Sequence, residues 1–387
     1  MAVSVLTSGH TTRGDPQRRG CRCGGDSCPS VSASVLELSR ISLDLARGLV
    51  SGESYNPRHL ALTAVRIGAA SARGFGVAVR GLVDSARWIE LSNKLSTYRL
   101  FASADGLLPD VGQLPAVVQQ LCAHDPYSRV WITEGLGWYY ADRSGCQLDP
   151  ALPCHSLIPL HTGVGLALAQ WALKSCHAGT IAEALDRFRK ACAQVCVHGY
   201  EGTVFEAVGL VTITLYPELV REIEKALSGT EEAAYFWHGV GRGLYFSALT
   251  FVPTREGRRW AASASQHMPL SSLGRENALA GFAWATTLVN IRNPEILECC
   301  IRDLGDLATS GDAFGNGVGS AMVIWRETSP SDEHLLERWW RFRPRDVATI
   351  VWERAIVRPA LDALRSYETV KGRNVCGKLF RVWNSER

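Results

Sequence analysis

The chain has no excess of charge of either sign: 41 basic residues stand against 38 acidic ones, a formal net charge of +3. That balance excludes, on composition, a broad attraction to nucleic acid or to an acidic membrane surface. It also lacks an apolar run of the about 20 residues that a membrane span needs. The longest run, LIPLHTGVGLALAQWAL at 157–173, is shorter and carries His161, Thr162 and Gln170. It is expected to be a buried helix, and membrane association is not expected. No basic segment followed by an apolar stretch opens the chain, so no secretory signal is expected and a cytoplasmic location is. The 12 cysteines fall in no framework spacing and are expected to be reduced thiols. There is no Gly-x-Ser-x-Gly elbow. The Gly-rich GVGRGL at 239–244 follows no strand run, which excludes a dinucleotide-binding loop.

What is present is apolar and small. Of 387 residues, 46% are hydrophobic and 36 are glycine, without a collagen-like period. Residues 1–33 are rich in Gly, Ser, Pro, Arg and Cys and form an expected disordered tail. Its Cys21, Cys23 and Cys28 supply only three of the four ligands of a closed zinc site. Residues 34–330 are expected to form a helical core, and 331–387 to add C-terminal helices packed on it. VLELSRISLDLARGLV, from Val35, spaces its apolar residues for a helix. Asn56-Pro57 opens another helix leading into the Gly/Ala-rich stretch that ends near Trp88.

Breaks are expected at 106–116 and 142–159, where Pro and Asp interrupt the pattern. Pro217 opens a short helix that Gly229 ends, and Thr230 reads as the N-cap of a helix running to Pro253. Ser331, Asp332 and Glu333 start another, and Pro359 is expected to kink the last. The fold class is all-α: irregular pseudo-repeated helix pairs packed through Gly/Ala-rich faces, closing into an α/α toroid or a two-lobed bundle.

The pairing rests on a loose recurrence: TEGLGWYYAD at 133–142, HTGVGLALAQWAL at 161–173, EAVGLVTITLY at 206–216, HGVGRGLYFSAL at 238–249, ALAGFAWATTL at 278–288 and FGNGVGSAMVIW at 314–325. Each glycine inside a helix costs about 1 kcal/mol relative to alanine. Either helices approach closely across these faces or a ligand lies against bare backbone. Ionisable residues accompany the glycines: Glu134, His161, His198, Glu201, Glu206 and His238. In one reading they converge in an oily chamber as acid/base groups or metal ligands; in the other each is a hydrogen-bonded core residue or a helix cap, a role that suits Glu134 after Thr133. His198-x-x-Glu201 occurs once, where a carboxylate-bridged di-iron site wants two such motifs. The basic-aromatic run at 337–345 reads as a surface helix, so nucleic acid is not an expected partner.

The order of ARGFGVAVRGL at 72–82, YSRVWITEGLGWYYADR at 127–143, VHGYEGTVFEAVG at 197–209, EEAAYFWHGVGRGLYFSAL at 231–249 and NALAGFAWATTLVNIRN at 277–293 resembles a bacterial family of unknown function. That family accompanies enediyne biosynthesis, as the first of the trio of accessory proteins beside the enediyne polyketide synthase. The family tends to carry an acid-Gly pair after its first Gly-Phe, where this chain reads Gly74-Phe75-Gly76-Val77; the later Glu201-Gly202 keeps it. The departure moves the candidate catalytic groups onto His198, Glu201 and His238, with Glu134 beside them. Trp138, Tyr139, Trp237, Tyr245, Phe246 and Trp284 are candidate cavity-lining residues, and Arg242 a candidate for holding an anionic head group. The resemblance implies bacterial secondary metabolism on a long, unsaturated, hydrophobic chain. A cyclisation or other core-forming step is the expected activity, with biosynthetic enzymes as partners. A helical scaffold or carrier and a non-haem metal oxidoreductase are the alternatives; no residue pattern names a cofactor or a metal site.

Overall fold

The computed structural model describes residues 85–108, 110–144, 147–174, 180–251, 255–370 and 379–382. The expected tail, the helices from Val35 and Pro57, Cys21, Cys23, Cys28 and Pro253 lie outside them. All regular structure among the described residues is helical. In chain order the main helices are α1 Ser85–Ala102, α2 Leu114–Leu121, α3 Pro126–Ser144, α4 Cys154–Lys174, α5 Ile181–Val195, α6 Glu201–Leu215 and α7 Val220–Ala226. There follow α8 Glu232–Tyr245, α9 Arg255–His267, α10 Ser272–Val289, α11 Pro294–Leu304, α12 Ala313–Thr328, α13 Glu333–Arg341 and α14 Arg358–Val370.

Burial divides them into two kinds. The Gly-rich helices α3, α4, α6, α8, α10 and α12 are apolar on most faces and lie inside, each packing against the next; α14 packs on α12, and α12 also touches α4. The intervening α5, α9, α11 and α13 carry one apolar stripe and a polar outer face. Such a stripe can bury itself only by lying on the inner helices. Local signals set several starts. Thr180 and Glu183 form a reciprocal capping box on α5, and Ser271 accepts from the Gly274 amide to cap α10. By length and composition α4 could cross a membrane, and 78% of its most apolar window is buried inside the protein.

Several boundaries differ from the sequence reading. Thr230 caps nothing: its hydroxyl donates back to the Leu227 carbonyl, and α8 ends at Tyr245 instead of running to Pro253. The second break is shorter than 142–159, because α4 begins at Cys154 and carries Pro159 inside it. Pro159 sits early enough in α4 that only one internal bond is lost. Ahead of Pro359 the chain forms a π-helical turn, Glu353–Val357, which re-spaces the bonds that proline would break.

Candidate functional site

The glycines do not line a chamber. An added methyl group at Gly163 would collide with the Glu134 carbonyl oxygen, one at Gly239 with that of Glu206, and one at Gly281 with that of His238. The inner helices therefore touch backbone to backbone; these three contacts fall at residues with ionisable side chains, while Gly137, Gly209 and Gly241 meet the carbonyls of Leu160, Phe236 and Ala278. The expected oily chamber around these groups is replaced by packed side chains and one buried ionic cluster.

The cluster joins three helices. Arg242 of α8 donates from Nη2 to Glu134 Oε1 of α3 at 2.5 Å and from Nη1 to Glu206 Oε2 of α6 at 3.2 Å. His238, one turn before Arg242, places Nδ1 3.3 Å from Glu206 Oε1. All four side chains are at most 6% exposed. The Trp284 ring of α10 lies 5.1 Å from the guanidinium carbon and 6.0 Å from the His238 ring. Phe380, fully buried, stands 5.9 Å from His238 and 5.6 Å from Trp284.

Electrostatics separate the two acids. Burial pushes the Glu134 carboxyl above its ordinary value, and Arg242 only partly offsets that. Burial acts on Glu206 too, but Arg242 and His238 together hold its carboxyl below the ordinary value. The two acids raise the Arg242 guanidinium against the opposing effect of burial. One guanidinium between two carboxylates leaves a single negative charge for a mobile proton to neutralise. His238 Nε2, Arg242 Nε and Trp284 Nε1 are buried without a hydrogen-bond partner. Leaving one such group unmet costs about 1–3 kcal/mol, and Trp237, Trp325 and Trp352 Nε1 elsewhere in the core are unmet in the same way. Arg242 stands between Glu134 and Glu206, and no group of three metal-ligating side chains occurs among the described residues.

Of the other candidates, His198 and Glu201 are paired at the surface at 3.0 Å, 89% and 56% exposed, where Glu201 also accepts from the Gly199 amide at the start of α6. The structure does not bring them to the buried cluster: α6 begins only at Glu201, so His198 is outside the helix and the pair is a local turn. Glu134 lies inside α3 and caps nothing. The aromatics also scatter. Only Trp284 borders the cluster. Trp237 packs on Phe236, Phe246 on Tyr98 and Tyr245, Trp138 on Phe101, and Tyr139 lies under Arg143. Neighbours in a helix point about 100° apart, so consecutive aromatics cannot share one wall.

His161 is a satisfied core residue. Its Nδ1 donates to the Leu157 carbonyl at 2.6 Å, its Nε2 accepts from the Val197 amide at 3.0 Å, and its ring stacks on Tyr200. Burial, against the Leu157 bond, lowers its pKa to about 4. A histidine kept neutral on folding costs stability once protons bind the unfolded form first, so stability falls as pH drops from about 6.5 to about 4. The drop is expected to be about 3 kcal/mol in urea unfolding and to disappear in His161→Gln.

Glu206, one of the ionisable residues beside the glycines but not among the candidate catalytic groups, is marked by a signal in the sequence. Glu134, Glu206 and His238 each stand three residues before a glycine, at Gly137, Gly209 and Gly241. A second buried cluster was missed altogether. Arg258 bridges Glu90 and Asp303, and Lys94 lies 3.6 Å from Glu90 with its ammonium 3.9 Å from the Tyr245 ring centre and a bond to the Thr250 carbonyl. Burial lowers Lys94 to about 8 despite Glu90. Its only sequence signal is the helical spacing of Glu90 and Lys94.

Compared with protein-family models, with curated proteins and with solved structures, the chain matches none of them.

Proposed function

We propose that the protein is a bacterial secondary-metabolite enzyme that acts in the cytoplasm on a long hydrophobic unsaturated intermediate, a polyketide or isoprenoid chain. The step is a cyclisation or related core-forming reaction under acid/base catalysis. One observation carries the reading: His238 is anchored through Nδ1 to Glu206 while its Nε2 is buried and unpartnered. A histidine held by a carboxylate on one nitrogen and free on the other can give or take a proton at the free one. Glu134 and Arg242 fix the counter-charge, and the Trp284 face can stabilise positive charge developing on an unsaturated chain. The family resemblance supplies the substrate class.

Deleting the gene in its host tests this. An apolar unsaturated intermediate is expected to accumulate, wild-type and Glu201→Gln genes to restore product, and His238→Gln not to. Full restoration by His238→Gln contradicts the assignment. A non-catalytic carrier or scaffold is the second reading, favoured by a half-open groove of about 420 Å³ between α12 and α14. A carrier would tolerate His238→Gln.

A further inference from the structure

Residues 379–382 reach into the same site from outside. Phe380 is wholly buried among His238 of α8, Trp284 of α10 and the flanking helices, while Arg381 and Val382 stay half-exposed. The Val382 amide donates to Asn277 Oδ1 of α10 at 2.7 Å, and Ser320 of α12 donates to the Leu379 carbonyl. Arg381 pairs with the exposed Glu231 at 3.3 Å and lies over the Tyr235 ring. Besides the burial of Leu379 and Phe380, the segment is held by two hydrogen bonds and one solvent-facing ion pair, the last of little weight.

We infer that residues 379–382 are an internal occupant of an apolar ligand slot between α8, α10 and α12, with Phe380 standing where an unsaturated or aromatic part of the substrate binds. This inference rests on the proposed reading of His238 as the acid/base group. Phe380 stands against both the His238 and Trp284 rings, and a phenyl ring can accept or donate no hydrogen bond to His238 Nε2 or Trp284 Nε1, both of which are unmet. A ligand that offers an apolar π-system and one acceptor or hydroxyl group meets them, and that difference is what displaces the segment. Leu379 and Arg381, the neighbours of Phe380 in the chain, also line a groove together with Ser320, Val323, Ala355 and Pro359.

Titration with parinaric acid, a conjugated tetraene fatty acid that fluoresces in apolar surroundings, tests the inference without any turnover. Occupancy by the protein's own segment lowers apparent affinity in proportion to the closed fraction, so Phe380→Ala is expected to bind about tenfold more tightly than wild type. Arg381→Glu removes the outer ion pair and leaves the ring in place, so it creates no cavity of its own; it is expected to bind several-fold more tightly. The Val382 amide, held by Asn277, is expected to exchange its hydrogen faster when the probe is bound. Unchanged affinity in either variant, where circular dichroism shows it folded, overturns the inference, and so does a Val382 amide indifferent to the probe. These outcomes concern occupancy alone. Failure of the acid/base reading is seen separately, as full restoration of product by His238→Gln.

Discussion

Arg242→Met is expected to lose about 5 kcal/mol of stability at neutral pH, the upper part of the range for breaking a buried ion pair. The reason is the charge count. Arg242 is the one guanidinium bonded to both Glu134 and Glu206, and without it two carboxylates share an apolar interior with only His238 beside them. Burial already raises Glu134 in the wild type, and loss of Arg242 removes the main influence that lowers Glu206. Both carboxyls then favour the protonated form in the folded state. A carboxyl raised above its unfolded value contributes stability that is present at low pH and lost as pH rises. The deficit in urea unfolding is therefore expected to be smaller near pH 4.5 than at pH 7, and to shrink further when Glu134→Gln and Glu206→Gln are added. An equal deficit at both pH values would show that the lost guanidinium matters for packing and not for charge.

Gly239→Ala is the second large effect. In a free helix the change would gain about 1 kcal/mol, since alanine is the better helix former. Here the new methyl group meets the Glu206 carbonyl oxygen and the Leu210 amide, both backbone, so neither side can yield by turning a side chain. Overpacking of this kind costs about 1–3 kcal/mol and more where backbone must move. The net result expected is a loss of at least about 2 kcal/mol in thermal or urea unfolding. Gly311→Ala is the control: nothing lies within 4 Å of its new methyl group, and stability is expected to stay within about 0.5 kcal/mol.

These two effects share an origin that explains what was legible in the sequence. Glycine in the interior of apolar helices can be read directly, because its propensity cost demands either close packing or a ligand. The Gly163, Gly239 and Gly281 contacts show that close packing is the answer. The all-helical class followed from the same periodicity. Glu134, His238 and Arg242, which the structure places in one buried cluster, are legible because they stand beside those glycines; His198 and Glu201 are singled out by a three-residue spacing that fits a helical face. That spacing misled, since α6 begins at Glu201 and leaves His198 outside it. A helix start shifted by one turn changes a buried pair into a surface turn, and no local pattern fixes starts that closely. Phe380 could not be read at all. Its place depends on a contact with Trp284 nearly a hundred residues earlier in the chain, in a C-terminal stretch with weak periodicity. The Lys94 cluster escaped for the same reason: Arg258 and Asp303, which neutralise Glu90 and frame Lys94, come from distant helices.

Glu206 is the residue on which the acid/base reading depends most, because it orients His238 and carries the charge that a proton on His238 would balance. Glu206→Gln keeps the size of the side chain and one acceptor oxygen. The decisive measurement is turnover, by purified wild type and Glu206→Gln, of the intermediate that accumulates in the deletion strain, with thermal unfolding followed in parallel. The expected result is a fall of at least about 100-fold in rate in a folded variant, the usual weight of a general acid/base partner. Turnover of the folded variant within about threefold of wild type, far less than that weight, would contradict it.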